Sequence, residues 1–133
     1  MRPLVAVAPL AALLAAAAVG CGPPALEDLV VENSPNAYSL QATLNDASGN
    51  REEVWSVSGD RVWVDWSGTA LGAGSVSLAL TSPDGLQAYR ESATAAGPPA
   101  AAASITSSAG EWTIRLDYSG AEGSLALDLT GVQ

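Results

Sequence analysis

A chain of 133 residues, 48% apolar and 14% charged, suits one globular domain and is too apolar for disorder. Its net charge of −9 opposes nucleic-acid phosphates and anionic lipid headgroups alike. Histidine and lysine are both absent, which removes Ser–His, Cys–His and Ser–Lys nucleophile systems together with the commonest general base and metal ligand.

The chain opens MRPLVAVAPLAALLAAAAVGCG: Arg2 supplies positive charge, Leu4 to Val19 is almost wholly apolar, and small residues lead to Cys21. That layout is the one a secretory signal has. As a spanning helix the run falls short of the about 20 residues required, and Pro9 interrupts it. The residues Ala18-Val19-Gly20-Cys21 resemble the lipobox of bacterial lipoproteins. The resemblance implies diacylation of the Cys21 sulfur, cleavage just before it, and acylation of the new amine. Cys21 is the only cysteine, and lipidation accounts for a thiol that has no intrachain partner in an oxidising compartment. Two or more acyl chains hold a protein stably on a bilayer. Gly22 rather than Asp follows the cysteine, which in a Gram-negative source implies the outer membrane. The expected organisation is a signal peptide over 1–20, the lipidated Cys21 with a short Pro-containing tether over 21–36, and a β-domain over 37–133. The tether has room for one edge strand at Leu29 to Glu32.

From Tyr38 the apolar residues recur with period two, the mark of half-buried strands. Tyr38, Leu40, Ala42 and Leu44 form the first row, and Asn45 to Asn50 reads as a turn. Glu53, Trp55 and Val57 follow, then Val62, Val64 and Trp66 with Arg61, Trp63 and Asp65 on the opposite face. A Gly-rich connection over 68–74 leads to Val76, Leu78 and Leu80. Ser82-Pro83-Asp84-Gly85 is a turn by its chemistry, since proline presets φ at the second position and glycine accepts positive φ after it. Leu86 to Glu91 returns as a strand, Ala93 to Ser104 reads as a mobile Ala/Pro-rich loop, and Ile105 marks a weak strand. The final pair, Trp112-Ile114-Leu116-Tyr118 and Leu125-Leu127-Leu129, reads as a hairpin about Ser119 to Gly123. Two registers keep both rows on one core: Leu116 faces Leu127 with Arg115 opposite Asp128, or Leu116 faces Leu125 with Arg115 opposite Ala126. The ion pair favours the first. About seven or eight short strands and no helix predict an all-β fold, a single antiparallel β-sandwich of jelly-roll type.

The run from Val76 to Leu129, with its Pro-x-Gly turn, then Gly110-Glu111-Trp112-Thr113-Ile114 and a closing Gly-Ser-Leu hairpin, resembles jelly-roll modules of the pre-peptidase C-terminal and P-domain type. The resemblance implies the fold and a non-catalytic accessory role, and it transfers no site residue.

No catalytic residue, cofactor or metal site is expected. The acids are spread over turns and strand faces, and Asp60, Asp84 and Glu122 sit in Gly-containing turns where turn chemistry explains them. Trp66 and Trp112 share faces with Val, Ile and Leu and belong to the core; Trp55 is ambiguous. Trp63, between Arg61 and Asp65 on a polar face, is the candidate ligand-binding group, against the plainer reading of an outer packing residue. Two functions fit: a lipid-anchored cell-envelope module that contacts another envelope protein, or a glycan-binding, lectin-like domain using Trp63. The second requires Trp63 exposed beside a polar groove; the first, a flatter apolar patch or an open strand edge.

Overall fold

The computed structural model describes residues 26–133. The expected signal peptide, Cys21 and the start of the expected tether lie outside the described residues. The described chain is all-β, with seven strands and antiparallel pairing throughout: β1 (Leu26–Ser34), β2 (Ala37–Val57), β3 (Arg61–Asp65), β4 (Ala70–Thr81), β5 (Gln87–Thr94), β6 (Ala102–Ala103) and β7 (Gly110–Val132).

Two of these strands are unusually long and shape everything else. β2 and β7 pair along nearly their whole length, from Ala37 opposite Thr130 to Val57 opposite Gly110. Midway, register shifts between Leu44 and Ala47 and between Ala47 and Gly49 bend the ladder. Bulges are the usual means by which a strand turns a corner and passes from one layer to the next. The first half of β2 and second half of β7 lie in one layer, ordered β1-β2-β7-β3-β6. The other halves form a second layer with β4 and β5, because β4 pairs with Thr113 to Ser124 of β7. The single open sheet thus folds onto itself as a β-sandwich.

The expected hairpin at Ser119 to Gly123 is therefore absent; β7 runs straight through it. Arg115 faces neither Asp128 nor Ala126 but Glu52 of β2 and Ala79 of β4, and its ion partners are Asp117 at 3.0 Å and Glu52 at 3.7 Å. The turn expected at Asn45 to Asn50 is the bulged bend of β2. The Gly-rich connection is mostly strand as well, since β4 starts at Ala70 and shifts register around Ala73. Gly74 shows why a glycine is needed there. Its φ is 73°, and a Cβ would stand 2.1 Å from the Gly120 carbonyl oxygen.

Other elements follow the local chemistry. The Ser82–Gly85 turn closes with the Gly85 amide donating to the Ser82 carbonyl at 2.9 Å, and Gly85 has φ 83°. β1 and β2 are joined by Pro35-Asn36, with Asn36 at φ 65°, the pattern of a type II turn with asparagine in the left-handed position. β1 is longer than the expected edge strand and carries a bulge between Glu27 and Val30. The Ala93–Ser104 segment is not an unstructured loop: Ala102 and Ala103 pair with Val64 and Trp63, and Ser104 is buried with its hydroxyl accepting from the Val62 amide at 2.9 Å. Ile105 belongs to no strand and is exposed.

The core lies between the layers. Leu40, Leu125, Leu127, Leu129, Val62 and Val64 come from one side, and Ile114, Leu116, Val76, Leu78 and Leu80 from the other. Each such side chain removed from water contributes about 1.5–3 kcal/mol. Trp55, Trp66 and Trp112 are fully buried, and each indole N–H has an acceptor: the Ser34 carbonyl at 2.8 Å, the Tyr89 hydroxyl at 2.8 Å and the Ser108 carbonyl at 2.9 Å. The Trp66–Tyr89 bond ties the β3 layer to β5.

Candidate functional site

Three of the four tryptophans are thus core residues, including the ambiguous Trp55. The fourth differs. Trp63 is 42% exposed at the centre of β3, where alternation buries Val62 and Val64 and turns Arg61, Trp63 and Asp65 outward. The structure therefore places the three predicted residues on one outer face.

They do not act as a cluster. Arg61 donates to the Gln133 carbonyl at 3.0 Å and lies 3.4 Å from Asp60. Asp65 accepts the Ser67 amide at 2.8 Å, and that hydrogen bond holds its carboxyl below the usual carboxylate value. Only Trp63 is left uncommitted, its indole N–H donating to nothing among the described residues.

Cross-strand register shows what surrounds it. One row runs Ser34, Ala37, Thr130, Trp63, Ala103 across five strands. The next runs Glu32, Ser39, Asp128, Asp65. Short side chains at 34, 37, 39 and 130 leave a depression of about 230 Å³ lined also by Glu32 and Asp128. Trp63 stands at its side, directly across the ladder from Thr130. Asp65 directly opposite Asp128 is a like-charge pair, which disfavours the ladder there slightly and has no cation in its row. The face is an aromatic plate beside a shallow, hydroxyl-lined, negatively charged trough.

Sequence reasoning missed a second polar group, on the inner side. Arg51 and Glu53 share the inward face of β2 with Trp55 and Val57. Arg51 donates through Nε to Glu53 at 2.9 Å, and the Tyr38 hydroxyl donates to the same Glu53 oxygen. Burial and the adjacent Glu53 carboxylate raise the Tyr38 hydroxyl far above its ordinary value. Tyr118 lies close by, nearly buried, its hydroxyl pushed up to about 12 chiefly by desolvation. An Arg-x-Glu pair in phase with buried tryptophan was the signal for this network: it puts two charges on the inner face of the second half of β2, whose other edge, unlike the first half paired with β1, has no strand partner among the described residues. Inward charges on such an edge discourage pairing with another chain.

Among the described residues, no group of three or more His, Cys, Asp or Glu is placed to hold a metal ion, and no helix is long and apolar enough to cross a membrane. No protein-family model, curated protein or solved structure matches this chain.

Proposed function

We propose that the chain is a lipid-anchored, non-catalytic binding module of a bacterial cell envelope, and that the face around Trp63 meets its ligand. The anchor reading rests on Ala18-Val19-Gly20-Cys21 behind an apolar leader, a few residues before β1 begins at Leu26. The supporting observation for the face is Trp63 itself: a large aromatic exposed at the centre of a sheet face while the three other indoles are buried and hydrogen-bonded. Such a plate stacks on the apolar side of a sugar ring or anchors a protein contact. Of the two, the trough beside it favours a saccharide. Ser34, Ser39, Thr130, Glu32 and Asp128 offer hydroxyls and carboxylates for sugar hydroxyls, whereas an apolar protein partner would leave those carboxylates buried and unpaired.

Binding of the full chain to envelope polysaccharides and peptidoglycan fragments, read by titration calorimetry, tests this against Trp63→Ala. Binding is expected in the parent and lost in the variant, with the unfolding midpoint unchanged. Retained binding in the variant would move the ligand elsewhere. Intact mass of the membrane-extracted protein beside a Cys21→Ala variant tests the anchor: acyl chains on Cys21, and release of the variant, are expected.

A further inference from the structure

Trp63 has a depression on each side along one line. The cross-strand row Ser34, Ala37, Thr130, Trp63, Ala103 runs at right angles to the strands, and apart from the indole its side chains are short. On the Thr130 side lies the trough of about 230 Å³. On the opposite side Ala103 borders a second depression, of about 480 Å³, walled also by Pro99, Ala100, Ala102 and Ile105. Proline chemistry keeps this second depression open. The chain leaving β5 is bonded to that strand at one end by the Gly97 amide on the Thr94 carbonyl, and at the other by the Ile105 amide on the Ala88 carbonyl, each at 3.0 Å. Between them Pro98 and Pro99 have no N–H to give, so the segment does not zip onto the free edge of β5.

Five strands at a spacing of about 4.8 Å make the row about 19 Å long, and the second depression extends it. A single sugar ring covers Trp63 and leaves both flanks empty. A flat ribbon of equatorially linked rings advances by about one strand spacing per ring, so about four rings fill the row. At its Ser34 end the row runs off the sheet at β1, an edge strand, so a long chain can pass through without presenting an end.

Charge narrows the class further. Every charged side chain lining either depression is a carboxylate: Glu32 and Asp128 on one side, Glu91 on the other. Asp65 adds a fourth, opposite Asp128 across the ladder. Arg61, the base on the same strand as Trp63, is held by the Gln133 carbonyl at 3.0 Å and by Asp60 at 3.4 Å. Uronate or phosphate groups on a ligand would meet like charge along its whole length.

We propose that the Trp63 face takes an internal stretch of a linear, equatorially linked polysaccharide without acidic groups, laid across the strands with rings on both sides of the indole. The proposal rests on the saccharide reading of that face and adds the shape and charge of the ligand.

The test is calorimetric titration of the full chain with β-1,4-linked N-acetylglucosamine oligomers of two and four rings, and with β-1,4-linked tetramannuronate as the acidic ribbon of the same shape. Four rings are expected to bind at least about ten-fold more tightly than two, and tetramannuronate not to bind. Ala37→Gln fills the trough and Ala103→Gln the opposite flank. Each is expected to bring four-ring affinity down towards that of two rings, with two-ring binding and the unfolding midpoint unchanged, because both positions are exposed. Equal affinity for two and four rings, still lost in Trp63→Ala, would overturn the extended site and leave the saccharide reading of Trp63 standing. Tetramannuronate matching the neutral tetramer would overturn the charge selection in the same way. Binding that survives Trp63→Ala, or no binding by either neutral oligomer, would overturn both readings.

Discussion

Asn36 holds three parts of the molecule together through its side chain and a backbone in an unusual conformation, so its replacement gives a sharp quantitative test. Its Oδ1 accepts the Ser58 amide at 2.7 Å and its Nδ2 donates to the Ser58 hydroxyl at 2.8 Å, clamping the β1–β2 turn to the β2–β3 loop. Its backbone amide donates to the Ser56 carbonyl at 2.9 Å and its carbonyl accepts the Gly131 amide at 3.0 Å, so the residue cannot relax its φ of 65° without breaking further bonds. Asn36→Ala removes the two side-chain bonds. Ser58 is exposed and can turn to water, so this costs about 0.5–1 kcal/mol each. A Cβ-bearing residue without asparagine's local hydrogen bonds adds about 1–2 kcal/mol of left-handed strain. The sum is about 3 kcal/mol, or roughly 10–20 °C in midpoint for a domain of this size. Asn36→Gly loses the same bonds without the strain, but adds about 0.4–1 kcal/mol of unfolded-chain entropy. Asn36→Asp keeps the acceptor and tolerates the conformation. Urea unfolding followed by the buried tryptophans should therefore rank the parent above Asp, Asp above Gly and Gly above Ala. An alanine variant as stable as the glycine variant would refute the strain argument; both matching the parent would refute the clamp.

Three further outcomes follow from burial, backbone and charge. Tyr38, Tyr89 and Tyr118 all have hydroxyls raised chiefly by burial, so the unfolded chain, ionising near about pH 10, releases these protons first. Their contribution is intact below about pH 10 and is lost as the pH climbs towards about 12, where Tyr118 ionises in the fold; tyrosinate absorbance should appear together with loss of circular dichroism, not before it. Trp112→Ala should cost about 3–5 kcal/mol by urea midpoint, whereas Trp63→Ala should cost under about 1 kcal/mol; equal losses would contradict the assignment of Trp63 to a solvent face. Gly74→Ala should destabilise by more than about 2 kcal/mol, since the new methyl meets backbone, while Gly72→Ala meets nothing within 4 Å and should be neutral within about 0.5 kcal/mol or mildly stabilising.

Alternation made the inward residues readable nearly everywhere, and the reason it misplaced the long strands is itself physical. In β2 the buried residues are even-numbered from Tyr38 to Leu44 and odd-numbered at Ala47, Trp55 and Val57. In β7 they change from even at Trp112 to Tyr118 to odd at Ala121 to Leu129. A tight turn and a bulged corner both produce such a change of phase and both favour Gly, Asn, Asp and Ser. Sequence alone therefore could not separate a hairpin at Gly120 from a strand that bends there. β4 changes phase too, from Leu71 to Val76, and three coincident changes are the trace of one corner. The outward setting of Trp63 was legible because its neighbours Val62 and Val64 pin the phase of a short strand. The Arg51–Glu53–Tyr38 network was not, because a charge in an inward row can be read as a surface row just as well. The Tyr118 hydroxyl, buried without a hydrogen-bond partner among the described residues, depends on distances that no one-dimensional pattern contains.

β1 has a mechanical consequence. Its pairing with β2 is closed at Ser34–Ala37 by the Pro35-Asn36 turn and open at Leu26–Leu44. Tension arriving through the residues before Leu26, with the body of the domain held back, would load the rungs one after another from the open end. Ladders pulled this way peel at low force, unlike those sheared along their length. Releasing the nine residues of β1 would pay out about 30 Å of chain while β2 to β7 stayed folded. A domain leashed at that end carries its own slack.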